Sequence, residues 1–188
     1  KFSVGAVALV LAASMLLTGC GGDGGKTTFT VVDYLNDSAA MYGEDETYKA
    51  DTALDTNAKN AVTVLQNSGA KTVEEFQGKL YDDDALMAAF VKAVSGGDTK
   101  NVYQIGDVLI QSYITDAAKD YAGLYQAEWL FRTKNQNVVY APDAAKDEDG
   151  WVDEDKLEST TYVGTATMTL GGKSYLVAVF RTAPKAAK

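Results

Sequence analysis

The residues whose spacing carries most chemistry are three aspartates in the stretch Lys146-Asp147-Glu148-Asp149-Gly150-Trp151-Val152-Asp153-Glu154-Asp155-Lys156-Leu157. With Gly150 at the sixth position of a calcium loop, Asp147, Asp149 and Asp153 take ligand positions three, five and nine. Hard cations want carboxylate oxygens in that order around a sharp glycine turn. Ala145, however, stands at the first ligand position and Lys156 at the twelfth, where a bidentate carboxylate belongs, and no pair of long helices is expected on either side. The expectation is a solvated acidic loop over 143–156, pinned by Trp151, in which Asp147, Asp149 and Asp153 hold Ca2+ weakly. Trp151 is the one aromatic stranded in a polar loop, which makes it the candidate ligand-binding residue. No other cofactor is expected.

The remaining reactive patterns favour ordinary structure. Ser68-Gly69-Ala70-Lys71 has the Ser-x-x-Lys spacing of a nucleophile motif, but its serine closes a helix instead of opening one, and no Ser-Asp-Asn or Lys-Thr-Gly partner follows. Asp82, Asp83 and Asp84 stand where a helix starts, the place at which free backbone N–H groups and the helix dipole favour acids. Gly96-Gly97 and Gly171-Gly172 read as a helix end and a turn. The chain contains no histidine. That removes the usual general base at neutral pH, the commonest zinc ligand and any Ser-His or Cys-His pair. A carboxylate pair of glycosidase type stays open, since its two acids can come from anywhere in the sequence, and nothing nominates a particular pair. No catalytic residue is assigned.

The only cysteine, Cys20, closes an uncharged, mostly apolar run from Phe2 to Leu17 that follows Lys1. An apolar run of this kind has the shape of a secretory signal segment. Leu17-Thr18-Gly19-Cys20 resembles the bacterial lipobox. The resemblance implies cleavage before Cys20, diacylglycerol on its thiol (with palmitate among the acyl chains) and a lipoprotein held at the cell membrane on its extracytoplasmic side. The competing reading is an uncleaved membrane helix, for which Gly19-Cys20-Gly21 makes a poor end. With no initiator Met and one basic residue before the apolar run, the sequence is expected to be trimmed at its start. The organisation that follows is a signal peptide at 1–19, a lipidated cysteine and glycine-rich tether at 20–28, and one globular domain at 29–188.

Removing residues 1–19 from 188 leaves 169, with 16 basic residues against 26 acidic ones and a net charge of −10. Scattered basic residues on an acidic chain exclude nucleic acid as a partner, because phosphate binding needs a positive footprint. The same charge repels anionic head groups, so the acyl chains and not the protein surface should hold the membrane. One acylated thiol leaves no intrachain disulfide, and stability must come from packing.

The elements that must position these residues follow from periodicity. Helical spacing predicts a helix over 31–42, opened by Thr30 and Asp33 and closed by Gly43, and a longer one after Glu44-Asp45-Glu46 to about Asn67, with Leu54, Ala58, Ala61, Val62 and Leu65 on one face. Thr72 and Glu75 have capping-box spacing before a short helix through Val73, Phe76 and Leu80. The Asp triplet opens another, ending at Ser95-Gly96-Gly97. Residues 103–122 keep helical spacing and are read as helix, with a buried strand over Val108–Ile114 as the alternative. Trp129–Phe131 and Val138–Tyr140 read as strands, the second ended by Pro142. Last comes a hairpin, Thr161–Leu170 and Lys173–Thr182, around Gly171-Gly172. Its second arm is apolar on both faces and should be a central strand with helices over one side. The fold class is α+β, with N-terminal helices packed on a C-terminal antiparallel sheet that ends in a hairpin.

Tyr162-Val163-Gly164-Thr165-Ala166 through Tyr175-Leu176-Val177-Ala178-Val179-Phe180 looks like the closing hairpin of CAP-superfamily secreted domains, and Ala127-Glu128-Trp129-Leu130 sits where those domains carry an alanine-tryptophan segment. The resemblance implies helices before an aromatic strand. It does not extend to that family's histidine and glutamate cleft, so a member of this kind would lack the metal site. The expected function is a surface-displayed extracytoplasmic lipoprotein acting as a non-catalytic binding or accessory module for a peptide, a glycan or another envelope protein. The alternatives are a lipid-anchored carboxylate-dependent hydrolase and a degenerate CAP-like domain.

Overall fold

The computed structural model describes residues 31–109 and 138–186. The protein is α+β: helix α1 (Val31–Tyr42), strand β1 (Thr47–Ala50), helices α2 (Thr52–Asn67), α3 (Val73–Asp82) and α4 (Asp84–Ser95), then strands β2 (Val102–Leu109), β3 (Val138–Tyr140), β4 (Leu157–Leu170) and β5 (Lys173–Pro184). The lipobox, Cys20, the tether, Thr30 and the segments read at 110–122, 127–130 and 129–131 lie outside the described residues.

Local chemistry explains where the helices start and stop. The Asp51 carboxylate accepts the N–H of Ala53 and opens α2, the Thr72 hydroxyl accepts that of Glu75 and opens α3, and Asp83 accepts those of Ala85 and Leu86 and opens α4. Each supplies an acceptor to a backbone donor that has no partner in the first turn. At its far end α4 stops on Gly96, whose φ of 63° places it in the left-handed region. The five residues expected on the buried face of α2 are the five that are buried.

The sheet runs β1-β4-β5-β2-β3. The β4–β5 hairpin turns through Gly171 and Gly172 with φ of 56° and 76°, as a two-residue turn requires. Strand β5 is interior, between β4 and β2.

Two expectations are corrected here. Residues 103–109 belong to strand β2 and are not helical. The apolar β5 has a second edge whose backbone groups need partners, and β2 supplies them from Val102 opposite Thr182 to Leu109 opposite Tyr175. A ladder of that length overrides a helical spacing that a short apolar run shares with a strand. The sheet is also mixed and not purely antiparallel, because β1 pairs with β4 in parallel, from Thr47 opposite Thr160 to Ala50 opposite Val163. Four residues after an acidic loop are too short a signal to separate from the start of the following helix.

Helices α2, α3 and α4 cover the sheet face that carries Gly164, Ala166, Met168, Val177 and Val179. On the opposite face Val102, Val163, Leu176, Ala178 and Phe180 are buried too, while Thr167 and Thr169 near the hairpin tip are exposed. The hairpin is thus partly wet on one face, as its threonines suggest.

A candidate ligand cleft

The site follows from how one row of residues crosses the sheet. Gly164 of β4 lies opposite Val179 of β5, and Val179 lies opposite Ile105 of β2. At the Gly164 end α2 lies almost on the strand: a Cβ built there would sit 2.1 Å from the Leu54 carbonyl carbon and 2.3 Å from the Asp55 nitrogen. The amide of Thr165 donates to the Asp55 carboxylate at 2.7 Å and fixes that approach. Val179, in the middle of the row, is 0 % exposed. Ile105, at the far end, is only half-buried. The helical layer is therefore tight over β4 and leaves Ile105 of β2 partly open.

The space this leaves is an open cleft of about 710 Å³, within the range typical of small-molecule sites. Ile105, Gly106, Val138, Val139, Met168 and Val177 form its floor. Its walls are Ala61, Val62 and Leu65 of α2, Val73, Phe76, Gln77, Leu80 and Tyr81 of α3, and Met87 and Phe90 of α4. Phe76 and Phe90 meet edge to face with centroids 5.0 Å apart, joining α3 to α4. Trp151 completes the lining. None of the described lining residues carries a charge at neutral pH.

Two of the four large apolar side chains most exposed among the described residues, Tyr81 (85 %) and Trp151 (62 %), belong to this lining. The others, Met41 and Tyr42, are at the end of α1. Scattered exposed aromatics need no explanation, but these two share the wall of one cleft.

The acidic loop proves to be the mount for Trp151. The Asp147 carboxylate accepts the N–H groups of Asp149 (3.0 Å) and Trp151 (2.8 Å), and the Asp147 N–H donates to the Trp151 carbonyl at 2.8 Å. Gly150, at φ 87°, makes the turn between them. Asp153 accepts the N–H of Asp155 at 3.1 Å and faces Lys156 at 3.6 Å. Lys156, at the position of the twelfth ligand, donates to the Lys146 carbonyl. Asp149 is exposed. The three aspartates are not brought together as a ligand set, and among the described residues no group of three or more acids, histidines or cysteines could hold a metal ion.

The other candidates resolve into structure. The Ser68 hydroxyl donates to the Leu65 carbonyl at 2.6 Å and accepts the Ala70 N–H at 3.2 Å, so it closes α2, and Lys71 points its backbone N–H at Glu75. A smaller cavity of about 240 Å³ near α1 is lined by Asp45, Glu46, Glu154 and Glu158 among others, with Lys185 beside them. Asp45, Glu154 and Glu158 are exposed, and Glu46 accepts the Tyr48 hydroxyl at 2.6 Å.

A polar cluster ties α2 and the end of α4 to the sheet, away from the cleft lining. Arg181 pairs with Asp51 at 3.0 Å, and its guanidinium carbon lies 4.8 Å from the Tyr162 ring centroid. Asp98 accepts from Asn101 at 2.5 Å and from the Tyr103 hydroxyl at 2.9 Å. Burial pushes the Asp98 carboxyl up, but the hydrogen bonds from Asn101, the Lys100 backbone and Tyr103, with the charge of Arg181, outweigh it and leave its pKa below the ordinary value. Burial, then the hydrogen bond to Asp98 and its charge, push the Tyr103 hydroxyl up to about 12.

No protein-family model, curated protein or solved structure matches the chain. No helix among the described residues is long and apolar enough to cross a membrane. Sequence reasoning singled out Trp151 but missed the cleft, because Val73, Phe76 and Leu80 read as a core stripe. The available signal was Tyr81, a large aromatic one position off that stripe beside Asp82.

Proposed function

We propose that this protein is an extracytoplasmic, lipid-anchored binding module that holds its ligand in the cleft between the α2–α4 layer and strands β2 and β3. The observation that carries this reading is the cleft's chemistry: a large open concavity with two exposed aromatics on its wall and no charged side chain among its described lining. Such a lining can bind by desolvation and shape. Its described lining holds no carboxylate, amine, thiol or aliphatic hydroxyl for acid–base or nucleophilic work, and Tyr81 is its one ionisable side chain.

The hydrolase alternative would have to use the carboxylates of the smaller cavity. A glycosidase keeps its catalytic acid in a dry pocket. Three of the four carboxylates there, Asp45, Glu154 and Glu158, are exposed, so this alternative is the weaker one. Anchoring rests on Leu17-Thr18-Gly19-Cys20, with partners in the envelope and none among nucleic acids.

The test places a photoreactive benzoylphenylalanine at Tyr81 or, as control, at Tyr42, on intact bacteria expressing the protein. Tyr81 should capture one saturable ligand and Tyr42 should not; equal capture, or none, rejects the cleft as the site. In the same cells Cys20→Ala should release the protein from the membrane fraction or stall its processing. Unchanged retention with residues 1–19 still attached would mean a transmembrane anchor.

A further inference from the structure

We infer that Met41 is an oxidation site on the protein surface, which takes small neutral peroxides at its sulfur before Met87 and Met168 do and carries the sulfoxide without damage to the fold. Met41 belongs to α1 and is not part of the cleft lining, so the inference does not rest on the binding reading above.

The sulfur inventory is short. Cys20 is the chain's only cysteine, which leaves the thioethers of four methionines as its other soft nucleophiles. Three of them, Met41, Met87 and Met168, fall among the described residues. Met168 is 4 % exposed in the core, and Met87 is half-buried on the cleft wall. Met41 is 69 % exposed. Helical geometry accounts for that position. The buried stripe of α1 is Leu35 and Ala39, and a residue two places beyond Ala39 stands about 200° round the helix from it.

One exposed apolar side chain is ordinary on a surface. Two further features give this one a chemistry. Sulfoxide at Met41 adds a polar group that is already in water, whereas the same change at Met168 or Met87 puts that group into the core or the cleft. Carboxylates also flank the sulfur: exposed Asp37 lies one helical turn before Met41, and exposed Glu44 and Asp45 follow shortly after it. Such charges repel anionic oxidants and leave neutral ones unhindered. With hydrogen peroxide the step balances within one pair of reactants. A sulfur lone pair attacks one peroxide oxygen, the O–O bond breaks, the sulfur keeps that oxygen, and the other leaves as water. The sulfur is oxidised by two electrons and the peroxide is reduced by two. An exposed sulfoxide is open to a reductase, which makes the change reversible.

The experiment treats the full protein with excess hydrogen peroxide and follows sulfoxide at each methionine by peptide mass mapping, in native buffer and in denaturant. In native buffer Met41 should react at least tenfold faster than Met168 and severalfold faster than Met87. In denaturant the three rates should converge, since the order comes from the fold. Protein oxidised at Met41 alone should melt as the untreated protein does. Met41→Leu should remove the fast phase and leave the rates at Met87 and Met168 unaltered. Peroxymonosulfate, an anion, should react at Met41 about twofold faster in Asp37→Asn than in the parent, and hydrogen peroxide should not distinguish the two.

Equal native rates at Met41 and Met168, or Met87 ahead of Met41, would overturn the inference. A lowered melting temperature after oxidation of Met41 alone would overturn it as well. A peroxymonosulfate rate indifferent to Asp37→Asn would overturn the preference for neutral oxidants.

Discussion

Ile105 and Val179 lie directly opposite each other on one face of the sheet, yet Val179 is fully buried and Ile105 is not. The difference arises one strand further on, at Gly164. Absence of a side chain there lets α2 descend onto β4 beside Val179, whereas Ile105, two strands from Gly164, lines the cleft. The cleft is thus the far side of a close contact, and its shape depends on a residue that does not line it.

Gly164→Ala should therefore be costly. Its Cβ would overlap the backbone of Leu54 and Asp55, which can move only if α2 moves. Overpacking of this kind costs about 1–3 kcal/mol or more. Urea unfolding should show a lowered midpoint, and a midpoint unchanged within error would mean that α2 does not ride on β4 as described.

The edge of β1 is closed by a side chain. The Asn36 amide of α1 donates to the Tyr48 carbonyl at 2.9 Å, and its oxygen accepts the Tyr48 N–H at 2.8 Å, as a neighbouring strand would. Open edges recruit other strands. Asn36→Ala should cost about 1–3 kcal/mol through the stranded backbone groups and raise self-association in light scattering. Asn36→Asp, which keeps the acceptor and loses the donor, should fall between; a monomeric Asn36→Ala of native stability contradicts the assignment.

Tyr103 and Asp98 predict opposite ends of the pH profile. The Tyr103 pKa is raised to about 12, so its contribution is whole below the ordinary tyrosine value of about 10 and is lost as pH rises from there through about 12. That window is worth at most about 3 kcal/mol. Asp98, whose pKa is lowered, contributes above the ordinary aspartate value and loses that contribution as pH falls through its folded value. In denaturation series across pH, Tyr103→Phe should flatten the alkaline decline and Asp98→Asn the acidic one. A Tyr103→Phe profile that declines as the parent does above pH 10 would contradict the coupling.

For the loop at 143–156 the expectation is weak Ca2+ binding, with heat in calorimetry only at millimolar concentrations. The carboxylate of Asp147 has a different duty, holding the N–H groups of Asp149 and Trp151. Asp147→Ala should free the Trp151 mount and weaken capture by benzoylphenylalanine at Tyr81 severalfold without changing membrane association. A submicromolar calcium site, or capture indifferent to Asp147→Ala, would contradict this assignment.

The legible parts of the sequence were those where local chemistry decides. Thr72 and Asp83 begin helices because backbone donors lie within reach of their own side chains, and Gly171-Gly172 turns the hairpin because positive φ is required at both positions; Asp51, which opens α2, was not singled out, and that helix was expected to begin several residues earlier. The apolar faces of β5 announced an interior strand. What local pattern cannot carry is a partner distant in sequence. Residues 103–109 became strand because β5 needed a neighbour, and β1 exists because β4 offered an edge. The cleft was hidden for the same reason: Val73, Phe76 and Leu80 look like core whether or not the sheet beneath them closes. Trp151 stood out only because its own neighbours are polar.

The most direct test of an open cleft uses the chain's single cysteine to advantage, since Cys20, if acylated, leaves no competing thiol. Ile105→Cys and Val179→Cys place one reporter each on cross-strand neighbours, and the rate of modification by N-ethylmaleimide is followed in the native protein and in denaturant. The prediction is fast native-state modification at Ile105→Cys and protection at Val179→Cys until the protein unfolds. Equal protection of both thiols in the native protein would show that the helical layer closes over β2, and the ligand site proposed here would not exist.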